Sequence, residues 1–105
     1  MIYSEVIEDN QFDTIISFHT LEHIYPKDLS DVISEKYRVL KDGGNFIISL
    51  PYKDAYPCPK HVNTFDEEKL DNLLKSFKFK KVDLYIDKVE VDNPITYCLT
   101  GIYTK

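Results

Sequence analysis

Positive charge, glycine, cysteine and long apolar runs are all scarce in this chain, and each scarcity removes a class of function. Lysine and arginine number 13 against 18 aspartates and glutamates, a formal net charge of -5. Such a chain repels phosphate backbones, which argues against nucleic acid as a partner. Its basic cluster, Lys75, Lys78, Lys80 and Lys81, falls where a helix is expected to end and reads as a solvated face. Two cysteines, Cys58 and Cys98, lie far apart and form no C-x-x-C pair. That excludes a zinc knuckle, a redox motif and a disulfide scaffold, and it fits a reducing cytoplasm. No apolar run approaches the ~20 residues of a membrane span. The opening MIYSEVIEDN is acidic and does not read as a signal peptide. Three glycines, Gly43, Gly44 and Gly101, leave no glycine-rich turn. Repeats, low-complexity tracts and linkers are likewise absent.

What is present is the make-up of a globular domain: 43% hydrophobic and 30% charged residues in a chain of 105. That length is one domain or part of one, with a modest core. The β-branched and aromatic run FDTIISF predicts a buried strand at about 13–18. Pro26 suits a first helical turn, and Leu29, Val32, Ile33, Tyr37 and Leu40 recur at helical spacing, which predicts a helix at about 27–41. Gly43 and Gly44 are expected to end that helix. A strand follows at about 45–50, halted by Pro51. Residues 51–63, with three prolines, read as a loop.

A second helix is expected at about 66–77, with Leu70, Leu73, Leu74 and Phe77 as its apolar stripe. Two caps compete for its start: Asp66, or Thr64 with Glu67 as a capping box. Strands at about 79–86 and 95–104 complete the chain. Gly101 in the last one implies a bulge or a close backbone approach. Tyr37, Tyr85 and Tyr97 are expected to fill the core rim. Alternating strands and amphipathic helices argue for an α/β fold with parallel strands. The short final connection makes the last strand antiparallel.

Four segments carry a family resemblance. IEDNQFD with TIISFHTLEHI looks like the lead-in, fourth strand and following loop of a class I S-adenosylmethionine-dependent methyltransferase. RVLKDGG resembles the turn before that family's fifth strand, where proline usually stands at the position of Asp42. PKHVNTFDEEKLDNLL followed by FKFKKVDLY resembles its sixth-strand region with the preceding helix. The resemblance covers about residues 7–104 and implies a Rossmann-like half-domain: a mixed sheet with flanking helices, lacking the family's glycine-rich cofactor turn and the acidic residue that binds the ribose. It implies methyl transfer from S-adenosylmethionine to a small-molecule acceptor. Hydrogen bonds to charged groups contribute roughly 1.5–3 kcal/mol each. Losing two moves a micromolar site toward millimolar, so the chain alone is expected to bind the cofactor poorly. In the complete fold the fourth strand pairs with the first. Here residues 14–18 are expected to form an open apolar edge, which invites homo-oligomers or a completing polypeptide.

By resemblance, Phe18, His19, Thr20 and Leu21 survive from the cofactor site. Pro51, Tyr52, Tyr56 and His61 lie on the acceptor side. Methyl transfer needs mainly alignment of nucleophile, methyl and sulfur. Where the acceptor must lose a proton, His19 and His61 are the candidate bases. Plainer roles stay open: helix-start packing for His61, loop anchoring for Tyr52 and Tyr56, and an exposed local pair for Glu22 and His23. HTLEH also fits the inverted zinc-protease motif H-x-x-E-H. That motif needs both histidines on one helix face with a third ligand, whereas here it follows a strand, so no metal is expected. The competing class is a catalytically inactive methyltransferase-like module kept for binding or dimerisation.

Overall fold

The computed structural model describes residues 7–52, 63–90 and 95–105. Strand β1, Phe12–Phe18, is followed by a single 3-10 turn at Leu21–His23, helix α1 at Pro26–Val39 and strand β2 at Leu40–Pro51. Helix α2 is Glu67–Ser76; strands β3 and β4 are Lys80–Glu90 and Ile95–Thr104. The four strands form one sheet in the order β1-β2-β4-β3. β1 runs parallel to β2, from Thr14 beside Asn45 to Phe18 beside Ser49. β4 pairs antiparallel with both β2 and β3. This is the mixed α/β sheet expected, with the last strand inserted between two others and β1 left at an edge.

α1 starts on Pro26, carries Asp28 in its first turn and Lys36 and Arg38 in its last, the charge order a helix dipole favours. It stops at Val39, ahead of the two glycines. Leu40 is already extended, because the lead-in to β1 binds the helix end: the Asn10 and Gln11 amides donate to the Arg38 and Val39 carbonyls at 2.9 and 2.7 Å. β2 then makes an excursion. Phe12 stands opposite Leu40 but Thr14 opposite Asn45, so extra β2 residues are accommodated there. Gly43, at φ 81°, bends this excursion. Its amide donates to the Lys105 carbonyl at 3.0 Å. Gly44 is needed for space: a Cβ there would stand 2.8 Å from the carbonyl oxygens of Asp13 and Lys41.

At α2 the competition between caps goes to Asp66, whose carboxylate accepts the Lys69 amide at 2.8 Å. Phe46, Ile48 and Leu50 alternate along β2, all fully buried, and join Leu29, Ile33, Leu70, Leu74, Leu99 and Tyr103 in one cluster. Both helices therefore cover the same face of the sheet. Tyr37 packs against this core as expected, but Tyr85 and Tyr97 are exposed, and among the described residues the fully buried tyrosine is Tyr103. Its ring explains Gly101, where a Cβ would meet Tyr103 Cε1 at 2.8 Å. The rim assignment failed because alternation identifies two faces of a strand but not which one a helix will cover. Among the described residues, no helix is long and apolar enough to cross a membrane.

Candidate functional site

The carboxyl end of the parallel pair β1–β2 is where an α/β sheet offers a ligand crevice. Phe18 ends β1 with its side chain exposed. The His19 amide still donates to the Ser49 carbonyl at 2.7 Å, but His19 adopts φ 52°, a left-handed turn that non-glycine residues visit sparingly. The Thr20 hydroxyl donates back to the Phe18 carbonyl at 3.1 Å. The turn sends Leu21 into the core, where it is fully buried. Phe18, His19 and Thr20 are thus an open rim, and Leu21 is the anchor beneath it.

Glu22 is the residue that sequence reasoning misplaced. It is buried, 3% exposed, rather than part of an exposed pair with His23. Among the described residues neither carboxylate oxygen has a hydrogen-bond partner. Glu22 Oε2 lies 3.7 Å from His19 Nδ1 and 3.7 Å from His23 Nε2. His19 Nε2 faces Cys98 Sγ at 4.0 Å. Burial pushes the Cys98 thiol up, and the carboxylates of Asp87 and Glu22 add to the shift, so this cysteine is no activated nucleophile. Among the described residues no cluster of histidine, cysteine or acidic side chains is grouped to hold a metal ion.

A second residue escaped the sequence reading. Asn63 is buried, and its Nδ2 donates to the Leu21 carbonyl at 3.0 Å and to the Ile24 carbonyl. Its own amide donates to the Glu22 carbonyl at 3.2 Å. One side chain thereby fixes the turn that carries the rim. No spacing signal links positions 21 and 63; only the buried position of an amide side chain reveals it.

Pro51 ends β2 and is buried opposite Cys98. Tyr52 packs half-buried against the core, and its amide donates to the Tyr97 carbonyl at 3.0 Å. Pro51 and Tyr52 therefore stand at the same end of the sheet as the Phe18–Leu21 segment. Tyr56, His61 and Cys58 lie outside the described residues. Ser49, Thr100 and Asp87 line the sheet beside this end: the Thr100 hydroxyl donates toward Asp87 Oδ2 at 3.0 Å and lies 3.4 Å from Ser49 Oγ.

Two clefts lie elsewhere. One, of about 380 Å³, is bounded by Asp9, Asn10, Ser34, Tyr37, Arg38, Phe77 and Lys105. Its cations are already engaged: Arg38 with Asp9 and Glu35, and Lys105 with Asn10 and the Leu40 carbonyl. The other, of about 320 Å³, runs between β1 and α1, past Ile7, Phe12 and Val39. Outside this cleft, β1 also exposes Ile16 at 58% and Phe18 at 56%.

The chain matches known proteins over this same region. A family model described as a methyltransferase domain matches residues 4–48. A protein of Mycolicibacterium smegmatis, described as a probable S-adenosylmethionine-dependent methyltransferase, is 29% identical over 84 residues, 73% of this chain and 32% of that protein. A Burkholderia thailandensis 1,6-didemethyltoxoflavin-N1-methyltransferase, solved with 1,6-didemethyltoxoflavin and S-adenosylhomocysteine, superposes with a TM-score of 0.80 at 23% identity, covering 97% of this chain and 47% of that one. A Methanosarcina mazei S-adenosylmethionine-dependent methyltransferase gives 0.77 at 19% identity, covering 97% and 63%. The chain spans about a third of the curated relative and between about half and two-thirds of these solved chains.

Proposed function

We propose, for a chain that is a partial domain of class I S-adenosylmethionine-dependent methyltransferase type, that it forms the acceptor-side half of a site for methyl transfer to a small molecule. The observation that carries this reading is the end of the parallel pair. There the exposed Phe18–Thr20 rim, pinned through Leu21 and Asn63, stands at the same end of the sheet as Pro51 and Tyr52. The residues fit one end of the cofactor. An exposed aromatic ring at an open rim suits contact with a methyl-bearing sulfonium, which when bound would supply an electrophilic methyl group. A glycine-rich turn for its remaining parts is missing from the sequence.

Phe18, His19 and Thr20 hold that end, Leu21 anchors them, and Pro51 and Tyr52 stand on the acceptor side, to which the resemblance also assigns Tyr56 and His61. His19 Nε2 takes a proton where the acceptor must lose one, with His61 as the second candidate base. The remaining cofactor contacts come from a further polypeptide segment that joins along β1. Its free backbone edge and exposed Ile16 and Phe18 suit strand addition.

The test is an amide-resolved NMR titration of the chain with S-adenosylhomocysteine, alongside calorimetry. Binding in the millimolar range with shifts gathered at residues 18–21 is the expected result. Shifts gathered anywhere else, or none at millimolar ligand, overturn it. In that case the second reading leads, a catalytically inactive module using the same exposed β1 edge for dimerisation or partner binding.

A further inference from the structure

We propose that Glu22 is a positioning residue for His19, and that the His19–Glu22 pair suits the site to acceptors whose attacking atom carries both a lone pair and a proton, a hydroxyl or a neutral amine N–H. This rests on the methyl-transfer reading for its role and on the geometry alone for the pair itself.

A carboxylate buried to this degree is costly unless something neutralises or hydrogen-bonds it, and native proteins seldom leave such atoms unpartnered. Among the described residues nothing hydrogen-bonds the two Glu22 oxygens, and its side chain is only 4% exposed, while the neighbouring His19 side chain is 52% exposed. The groups facing Glu22 are His19 on the β1 exit and His23 in the same turn, each 3.7 Å from Oε2, with the Cys98 thiol of β4 beyond His19. With no cluster among the described residues grouped for a metal, the imidazoles themselves are the available partners. His19 presents Nδ1 to Glu22 and Nε2 toward Cys98, which pairs with Pro51 at the end of β2, the same division of labour as an acid that orients a general base from behind. The 3.7 Å separation is an ion-pair distance, about 0.5 Å beyond a good hydrogen bond. Such catalytic contacts are commonly long before ligand binds and tighten afterwards.

The chemistry balances without another reactant. The acceptor's lone pair forms the bond to the methyl carbon as the carbon–sulfur bond breaks and its electron pair stays on sulfur. The acceptor's proton moves to His19 Nε2. The resulting imidazolium donates Nδ1–H to Glu22, which neutralises the buried carboxylate at the moment the proton arrives. An acceptor with no proton to lose gains nothing from this pair.

The test is the tautomer of His19, read by long-range proton–nitrogen correlation spectra of the ligand-free chain at a pH where the ring is neutral. Wild type is expected mainly as the Nδ1–H form, because Glu22 accepts from that atom. Glu22→Leu should return His19 mainly to the Nε2–H form that an unconstrained imidazole prefers. Glu22→Gln, which keeps a weaker neutral acceptor, should fall between the two. A wild-type ring mainly in the Nε2–H form overturns the inference, and so does an unchanged ratio in Glu22→Leu with dispersed amide signals. If Glu22→Leu does not fold, an unchanged ratio in Glu22→Gln does the same. The tautomer is independent of the cofactor titration, so a failure of one reading is distinguishable from a failure of the other.

Discussion

The carboxamide of Asn63 donates to the carbonyl oxygen of Leu21 at 3.0 Å across 42 residues of sequence. This contact joins the segment that leads into α2 to the turn that carries the candidate site. Leu21 is held from both sides, by the core around its side chain and by Asn63 at its backbone.

Asn63→Ala leaves the buried carbonyl of Leu21 and the part-buried carbonyl of Ile24 without this donor. Each lost partner costs about 1–3 kcal/mol. Urea unfolding should show a lower midpoint with an unchanged slope. Amide shifts should move most at residues 19–24. A midpoint within error of wild type would mean that the turn is held by the core alone.

Ile16→Lys tests the β1 edge. The side chain is exposed and belongs to a strand that has one neighbour among the described residues, and a lysine on an edge discourages strand pairing. Sedimentation should show less self-association than wild type, with stability changed by less than about 0.5 kcal/mol. Equal association in the two proteins would place any interface elsewhere.

Gly44→Ala and Gly43→Ala should differ in cause and size. The first forces a Cβ against two carbonyl oxygens and Leu40 Cδ1, an overpacking that costs about 1–3 kcal/mol. The second has open space and meets only its positive φ, roughly 1–2 kcal/mol. Thermal unfolding of the pair checks the order, with Gly44→Ala the less stable.

Tyr103 and Asp71 set a pH window for stability. The Tyr103 hydroxyl, inside the core, donates to Asp71 Oδ1 at 2.9 Å, and Lys75 Nζ lies 2.9 Å from Oδ2. Burial works to raise the Asp71 carboxyl, but hydrogen bonds from Lys75 and Tyr103 outweigh it and hold it below its usual value. A folded value below the unfolded one means stabilisation above about pH 4, the unfolded value, lost as pH falls through the folded value. Burial, then the Asp71 contact, pushes the Tyr103 phenol up. Its contribution is complete below about pH 10 and is lost as pH rises through the folded value. Tyr103→Phe should therefore cost about 1 kcal/mol at neutral pH and flatten the alkaline limb. Asp71→Asn should flatten the acid limb. Denaturant midpoints across pH check both.

The elements were legible in the sequence because each is encoded locally. Period-two runs mark strands, Leu70 and Leu74 mark the inner side of α2, and Pro26 marks where α1 begins. The end of α1 was not, because backbone bonds from residues 10 and 11 stop it four residues before Gly43. Asp66 rather than Thr64 caps α2 through geometry that both sequences of residues permit equally well.

The site divides in the same way. The sequence by itself determined that a loop rich in histidine and acid follows a strand, and that a glycine-rich turn is missing. These follow from residue type and order. The strand itself was expected to be buried, but it lies at the sheet edge with only Ser17 buried. Only the tertiary structure decided that Glu22 is buried between two imidazoles, that Asn63 ties down Leu21, and that Tyr103 rather than Tyr97 enters the core. Burial and long-range hydrogen bonds depend on which face of the sheet the helices cover, and that choice is made by the whole core at once rather than by any local run of residues.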